Sequence, residues 1–208
     1  MAARMWRPEL NVTIAVLAAG RSTRTGARHK LLAQFDGIPL IRRSTQRASE
    51  IEGIPVLVVT GYREATMRDA LAGLDITITH NFDYAAGISS SIRSAIRAVS
   101  GECVGLLVHL ADMPLVERSH FSSMIRAFED HGGEIIVRAT SSGRPGNPVL
   151  LPRALFSQIE ELEGDIGARN VIAHSGLTVV DVEIGCAAEC DVDTIEALLA
   201  AGGQPAVD

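Results

Sequence analysis

"TIAVLAAGRSTRTGARHKLL" (residues 13–32) decides how the rest of the chain is read. An apolar run over 13–18 leads at once into a loop bounded by Gly20 and Gly26, which carries Arg21, Arg24, Arg28 and Lys30. The run is strand-length and apolar throughout, the pattern of a strand covered on both faces. Glycines at the loop's ends give access to backbone angles closed to other residues, so that consecutive N–H groups can turn toward an anion. In an open α/β sheet the ligand site lies beyond the carboxyl ends of the strands, where this loop emerges.

Working outward, apolar runs recur at 56–59, 76–79, 104–110, 134–137 and 177–182, and stretches of helical character separate most of them. Pro39 reads as the first position of a helix over 39–51. Ala65, Met67, Leu71 and Leu74 fall near one face of a second helix, and Ile92, Ala95, Ile96 and Val99 repeat at i, i+3, i+4, i+7 in a third. Phe121, Met124, Ile125 and Phe128 mark a fourth, which stops at Gly132 and Gly133. Strands buried on both faces and alternating with helices imply an α/β fold with a mostly parallel sheet and right-handed crossovers. We expect a single three-layer domain over residues 1–208, with 1–11 as a flexible lead.

Composition agrees. Aromatic residues make up only 4% of the chain while 47% is apolar, so the core must be built mainly from Ala, Val, Ile and Leu. That favours helices on a sheet over a β-sandwich. A net charge of −6 and no basic block argue against a nucleic-acid partner. Arg4 and Arg7 ahead of an apolar stretch resemble a short signal peptide, but Pro8, Glu9 and Asn11 interrupt it. Nothing approaches the roughly 18 apolar residues of a membrane span, so no membrane partner is expected. Cys103, Cys186 and Cys190 form no disulfide framework, and Cys186-x3-Cys190 lacks further zinc ligands nearby in sequence. A reducing cytoplasm is the simplest compartment.

Several pieces carry candidate chemistry. The Gly20 loop suits a polyphosphate, although its spacing matches neither Gly-x4-Gly-Lys-Ser/Thr nor Gly-x-Gly-x-x-Gly; the alternative is a solvated basic connection. "TGYRE", with Gly61, leaves the 56–59 strand along the same edge. Asp112 ends a buried strand just before Pro114, as a turn former, a helix cap or a magnesium ligand. Asp191 and Asp193 precede a terminal helix, where Asp193 or Thr194 is a natural N-cap and metal ligation is the other reading. Asn81 follows the 76–79 strand. Gly87, Ser89, Ser90 and Ser91 open a helix whose N-terminus can bind an anion or ribose hydroxyls, or is merely how that helix begins. The turn-rich 143–148 and the glycine-rich 164–169, with Arg144, Asn147, Asp165 and Arg169, could shape a second-substrate pocket.

Together these residues resemble the MobA-like NTP transferase family, closest to its molybdenum cofactor cytidylyltransferase branch. The family's Ala-Ala-Gly-x-Ser-x-Arg-Met-Gly loop with Lys-Leu-Leu is matched by Ala18-Ala19-Gly20-Arg21-Ser22-Thr23-Arg24-Thr25-Gly26 and Lys30-Leu31-Leu32. Gly/Ala-Asp-Met-Pro is matched by Ala111-Asp112-Met113-Pro114, and Asp-x-Asp-Thr-Pro-Glu by Asp191-Val192-Asp193-Thr194-Ile195-Glu196. Gly146-Asn147-Pro148 and the 164–169 cluster complete the match. Thr25 in place of Met, Ile195 in place of Pro, and Arg28-His29 before Lys30 are departures.

The resemblance implies a Rossmann-like, Mg²⁺-dependent (Mn²⁺ as substitute) nucleotidyltransferase. In its terms Arg24, Lys30 and Asp112 are catalytic. Leu17, Ala18, Ala19, Gly20, Arg21, Ser22, Gly26, Lys30, Gly61, Asn81, Gly87, Ser90 and Ser91 bind nucleotide. Asn147, Pro148, Asp165, Gly167 and Arg169 bind the acceptor, and Asp112 with Asp191 or Asp193 holds the metal. The implied reaction transfers CMP, or less favourably GMP, from an NTP to the terminal phosphate of molybdopterin, with a molybdoenzyme as eventual recipient. A sugar-phosphate or isoprenoid-precursor acceptor, and a non-catalytic maturation chaperone that binds the cofactor, are the alternatives.

Overall fold

The structure, a computed structural model, describes residues 9–21, 29–161 and 168–206. The opening apolar run forms β1 (Val12–Ala18), every residue of it buried. A two-strand ribbon, β2 (Gln34–Phe35) and β3 (Ile38–Pro39), leads into α1 (Leu40–Ser49). Pro39 therefore closes the ribbon and caps the helix, one position before its first turn. There follow β4 (Val56–Thr60), α2 (Glu64–Ala70), β5 (Thr77–His80), α3 (Ile88–Ala98), β6 (Gly105–Leu110) and α4 (Arg118–Asp130). The chain continues through β7 (Ile136–Ser141), β8 (Arg144–Pro152), α5 (Phe156–Glu160), α6 (Arg169–His174), β9 (Val179–Glu183) and α7 (Ile195–Ala200).

Seven strands form one sheet in the order β5-β4-β1-β6-β8-β7-β9. β1 pairs in parallel with β4 and β6, β4 with β5, and β7 with β9. β8 alone runs against its neighbours β6 and β7. The mostly parallel sheet is as expected; β8 is a correction, because residues 143–148 read as a loop. Its prolines are tolerated by position. Pro145 lies beside the irregularity where the pairing with β7 shifts between Arg138 and Thr140, and Pro152 is the terminal residue.

Helices cover both faces, giving three layers. On one side Met67 and Leu71 of the α2 stretch, with Phe121, Met124, Ile125 and Phe128 of α4, pack with Ile14 and Val16 of β1. On the other, Ile92, Ala95 and Ile96 of α3 join Ala15 and Leu17. The helical periods are thus those expected, except that Ala65 is exposed. The lead expected to be flexible through residue 11 is partly tied, since Glu9 and Leu10 donate backbone N–H groups to Glu129 Oε1. Among the described residues no helix is long and apolar enough to cross a membrane.

Candidate active site

The loops after β1, β4, β5 and β6 leave the same edge of the sheet, because those four strands are parallel. Between them lies a cleft of about 450 Å³ lined by Leu17, Ala18, Gly20, Arg21, Lys30, Leu31, Tyr84, Ala85, Gly87, Ile88, Ser91, Leu110, Asp112 and Asp193.

The carboxylates arrive from two distant parts of the chain. Asp112 sits between the buried Ala111 and Met113, and the Ala111 N–H donates to Leu17 O at 3.1 Å, which ties this turn to the end of β1. Val192 is fully buried, and its N–H donates to Asp112 O at 3.0 Å. That one bond brings the flanking Asp191 and Asp193 beside Asp112. The three side chains offer oxygens that all lie within 4.8 Å of one another. Thr194 supplies the cap of α7, its hydroxyl accepting from Ala197 N at 3.1 Å. The N-cap is therefore Thr194 rather than Asp193, and Asp193 is left to the site.

Lys30 begins a 3-10 turn anchored by the buried Leu31. Its ammonium donates to Asp112 Oδ2 and to Asp193 Oδ1, each at 2.5 Å. Burial pulls its pKa down, but the charge and hydrogen bond of Asp112, then those of Asp193, outweigh burial and hold it above the usual lysine value. At Asp191 burial, reinforced by Asp193 and Asp112, raises the carboxyl above its ordinary range. Asp112 Oδ1 is buried without a hydrogen-bond partner among the described residues. An under-served oxygen beside two further carboxylates fits a hard divalent cation, which takes oxygen ligands. The donor set suits Mg²⁺ or Mn²⁺ and lacks the soft ligands that a zinc site prefers.

On the opposite wall, Asn81 is buried with its amide fully engaged. Nδ2 donates to Ser90 Oγ (2.8 Å) and Ser91 Oγ (3.1 Å), while Oδ1 accepts from Asp83 N (2.9 Å). Asn81 thus lies beneath the wall and shapes it. Ser91 accepts from Asn81, which leaves its own hydroxyl proton to donate into the cleft. Gly87, at φ 95°, is where glycine is needed to turn the chain into α3.

The remaining expected residues divide. Ala19, Gly61 and Ser90 stand behind the lining. Gly20 differs from expectation: it has no left-handed φ, and among the described residues no atom lies within 4 Å of where a Cβ would be. Asn147 and Pro148 lie in β8, and exposed Arg169 starts α6; none of them lines the cleft. Ser22, Arg24, Gly26, Asp165 and Gly167 lie outside the described residues. Sequence reasoning missed Tyr84, Ala85 and Leu110 of the lining and the aromatic neighbours Tyr62 and His29. Only the position of Tyr84, two residues ahead of the Ala86-Gly87 turn, could have hinted at it.

A family model described as the MobA-like NTP transferase domain matches residues 14–179. The chain belongs to the MobA-like NTP transferase family. It is a nucleotidyltransferase by that membership. The molybdenum cofactor cytidylyltransferase of Escherichia coli (strain K12) is 30% identical over 172 residues, 81% of this chain and 84% of that protein. The fold is shared with Rv0371c of Mycobacterium tuberculosis H37Rv, solved in complex with manganese (TM-score 0.73, 23% identity, 92% of this chain and 97% of that one). It is also shared with a CMP:2-keto-3-deoxy-manno-octonic acid synthetase complexed with CTP (TM-score 0.71, 12% identity, 91% and 96%).

Proposed function

We propose that this nucleotidyltransferase moves CMP from CTP to the terminal phosphate of molybdopterin and releases pyrophosphate, with Mg²⁺ as the metal, in the cytoplasm. The observation that carries the reading is the Lys30–Asp112–Asp193 constellation with Asp191 beside it, at the mouth of a cleft between the β1 and β6 loops. The choice of CMP and molybdopterin leans on the similarity to the cytidylyltransferase of E. coli.

A phosphate oxygen of the acceptor attacks the α-phosphorus; the bond to the bridging oxygen of the β-phosphate breaks, and its electron pair leaves with pyrophosphate. A phosphate monoester is already largely ionised at neutral pH, so no strong general base is required. Lys30, kept charged by its carboxylate partners, neutralises charge that develops on the phosphates. Ser91 donates to an acceptor atom of the bound nucleotide. Asp112, Asp191 and Asp193 would hold the divalent cation, which neutralises phosphate oxygens when bound. A maturation chaperone would have no need of a lysine poised between two carboxylates, which favours turnover.

The test is pyrophosphate release with molybdopterin and each of CTP, GTP, ATP and UTP. CTP is expected to be used best, and Asp112→Asn to fold normally while losing turnover by about 10²-fold or more, or about 2.7 kcal/mol of transition-state stabilisation. Wild-type turnover in Asp112→Asn at limiting Mg²⁺ would remove the metal assignment; preference for another base would remove CTP.

A further inference from the structure

The loop after β4 is wedged between two others. A Cβ on Gly61 would stand 2.7 Å from Tyr84 Cβ and 2.8 Å from both Cβ and O of Ala19, so only glycine fits there. The Tyr62 N–H donates to Ala19 O at 3.2 Å, and the Tyr62 ring stacks on His29 with centroids 5.8 Å apart. Tyr84 stands next in line, its ring 6.4 Å from that of Tyr62 and tilted by 54°. Its backbone is set by the Asn81–Asp83 bond and by Ala86 N donating to Asp83 O at 2.8 Å. Arg21 then lays its guanidinium over the Tyr84 ring, Cζ 5.3 Å from the centroid. Both residues line the cleft that holds Lys30.

We infer that Tyr84 is a positioning residue for triphosphate binding, holding Arg21 at the mouth of the cleft. The inference rests on the nucleotidyltransferase reading and goes beyond it. A guanidinium held over a ring by its charge uses no acceptor oxygen, so its N–H donors stay available to phosphate oxygens. A carboxylate partner would consume those donors, and among the described residues Arg21 has none. An exposed arginine otherwise loses rotamer entropy when it captures a ligand. The ring under Arg21 reduces that loss, because the side chain is already confined. The Tyr84 hydroxyl plays no part in this, which makes Phe the rescuing substitution and an aliphatic residue the damaging one.

The experiment is calorimetric titration with two probes, CTP and inorganic tripolyphosphate, the second of which reads the phosphate site without any nucleobase. Tyr84→Leu should weaken both by about three- to tenfold, the range of one exposed to partly desolvated cation–π contact. Tyr84→Phe should match wild type. Arg21→Ala should lose at least as much, and adding Tyr84→Leu to it should change little further, because both act on one contact. Tyr84→Met, which fills similar volume without a ring face, substitutes if the Leu variant fails to fold. The inference is overturned if Tyr84→Leu and Arg21→Ala add independently, or if Tyr84→Leu binds tripolyphosphate like wild type. Loss of CTP affinity with tripolyphosphate unaffected would also sink it, as Tyr84 would then touch the nucleoside. A wild-type protein that binds neither probe would overturn the functional reading as well.

Discussion

Two carboxylate sites lie on the same edge of the sheet and are finished in opposite ways. Glu183, at the end of β9, has both oxygens used twice. Oε1 accepts from Ser142 N (2.9 Å) and Gly185 N (3.0 Å); Oε2 accepts from Thr140 Oγ1 (3.0 Å) and Gly143 N (3.2 Å). Asp112, at the end of β6, has one oxygen on Lys30 and the other buried with no partner among the described residues. Glu183 is a closed account of donors and acceptors that fixes a hairpin. At Asp112 the Lys30 ammonium bridges two of three clustered carboxylates, those of Asp112 and Asp193, with Asp191 beside them. The difference is that between a carboxylate whose oxygens are all used within the fold and one with an oxygen left over, although both end a strand and both are polar.

The sharpest way to break that comparison is at Lys30, where the expected effect is largest. Lys30 holds Asp112 Oδ2 and Asp193 Oδ1, and so occupies two of the three carboxylates that a divalent cation would also use. Lys30→Met should therefore move two affinities in opposite directions. Binding of CTP should weaken by about 1–3 kcal/mol, the scale of a lost charge-assisted contact. Binding of Mn²⁺ without nucleotide should tighten, read as a larger rise in melting temperature on adding the metal than wild type shows. If Mn²⁺ binding weakened instead, lysine and cation would not compete, and the cluster would be as closed as that of Glu183.

A middle-sized effect sharpens the comparison from inside the sheet. His109 lies on β6 three residues before Asp112, with its ring buried against Phe121 and its Nε2 2.6 Å from Ser44 Oγ. Burial lowers its pKa from 6.5 to about 3. The unfolded chain takes up a proton near 6.5 and the folded one does not, so stability is present above 6.5 and falls as pH drops toward about 3. The slope is about 1.4 kcal/mol per pH unit for one such group. Denaturant melts between pH 7 and 4 should show it, and His109→Leu should flatten it whatever its effect on stability at pH 7. An unchanged slope would assign the acid sensitivity to the edge carboxylates instead.

How much of this could be read in advance differs between the two sites. β1, β6 and the faces of α3 and α4 were legible because burial on both sides, or a 3.6-residue period, is written into local sequence. The strand β8 was not. Pro145, Gly146 and Pro148 look like a turn, and the reason glycine stands at 146 is the Ala188 carbonyl, 2.2 Å from where a Cβ would be. A contact forty-two positions away leaves no local trace. Asp112, Asp191, Asp193 and Lys30 could be named from motif resemblance, which also implies that Asp112 meets Asp191 or Asp193; the ion pairs of Lys30 and the Val192–Asp112 backbone bond that joins the two segments could not. The resemblance implies a nucleotide contact at Asn81, but nothing in its sequence shows that its amide is engaged by Ser90, Ser91 and Asp83. Tyr84 carries only the weak hint of its place just ahead of the Ala86-Gly87 turn.

The smallest effect tests the closed side of the comparison. Ser142 (φ 51°) and Gly143 (φ 75°) form the two-residue turn between β7 and β8, and left-handed angles at both are those of the tight hairpin turn. Glu183 holds that turn from the neighbouring strand. The backbone N–H of Ser142, then that of Gly143, with smaller help from Thr140 and Gly185, keeps its carboxyl below the usual value of 4.5 despite some desolvation. Its contribution is therefore present above pH 4.5 and is lost as pH falls through the depressed folded value. Glu183→Gln replaces one acceptor oxygen by an amide that faces donors. The expected result is a melting temperature lower by a few degrees at most, with CTP affinity and pyrophosphate release close to wild type. The drop should shrink at acid pH, where the wild-type carboxylate also loses its charge. Should Glu183→Gln instead abolish turnover while the fold survives, the closed carboxylate would belong to the active site after all, and an unpartnered oxygen would no longer distinguish the two.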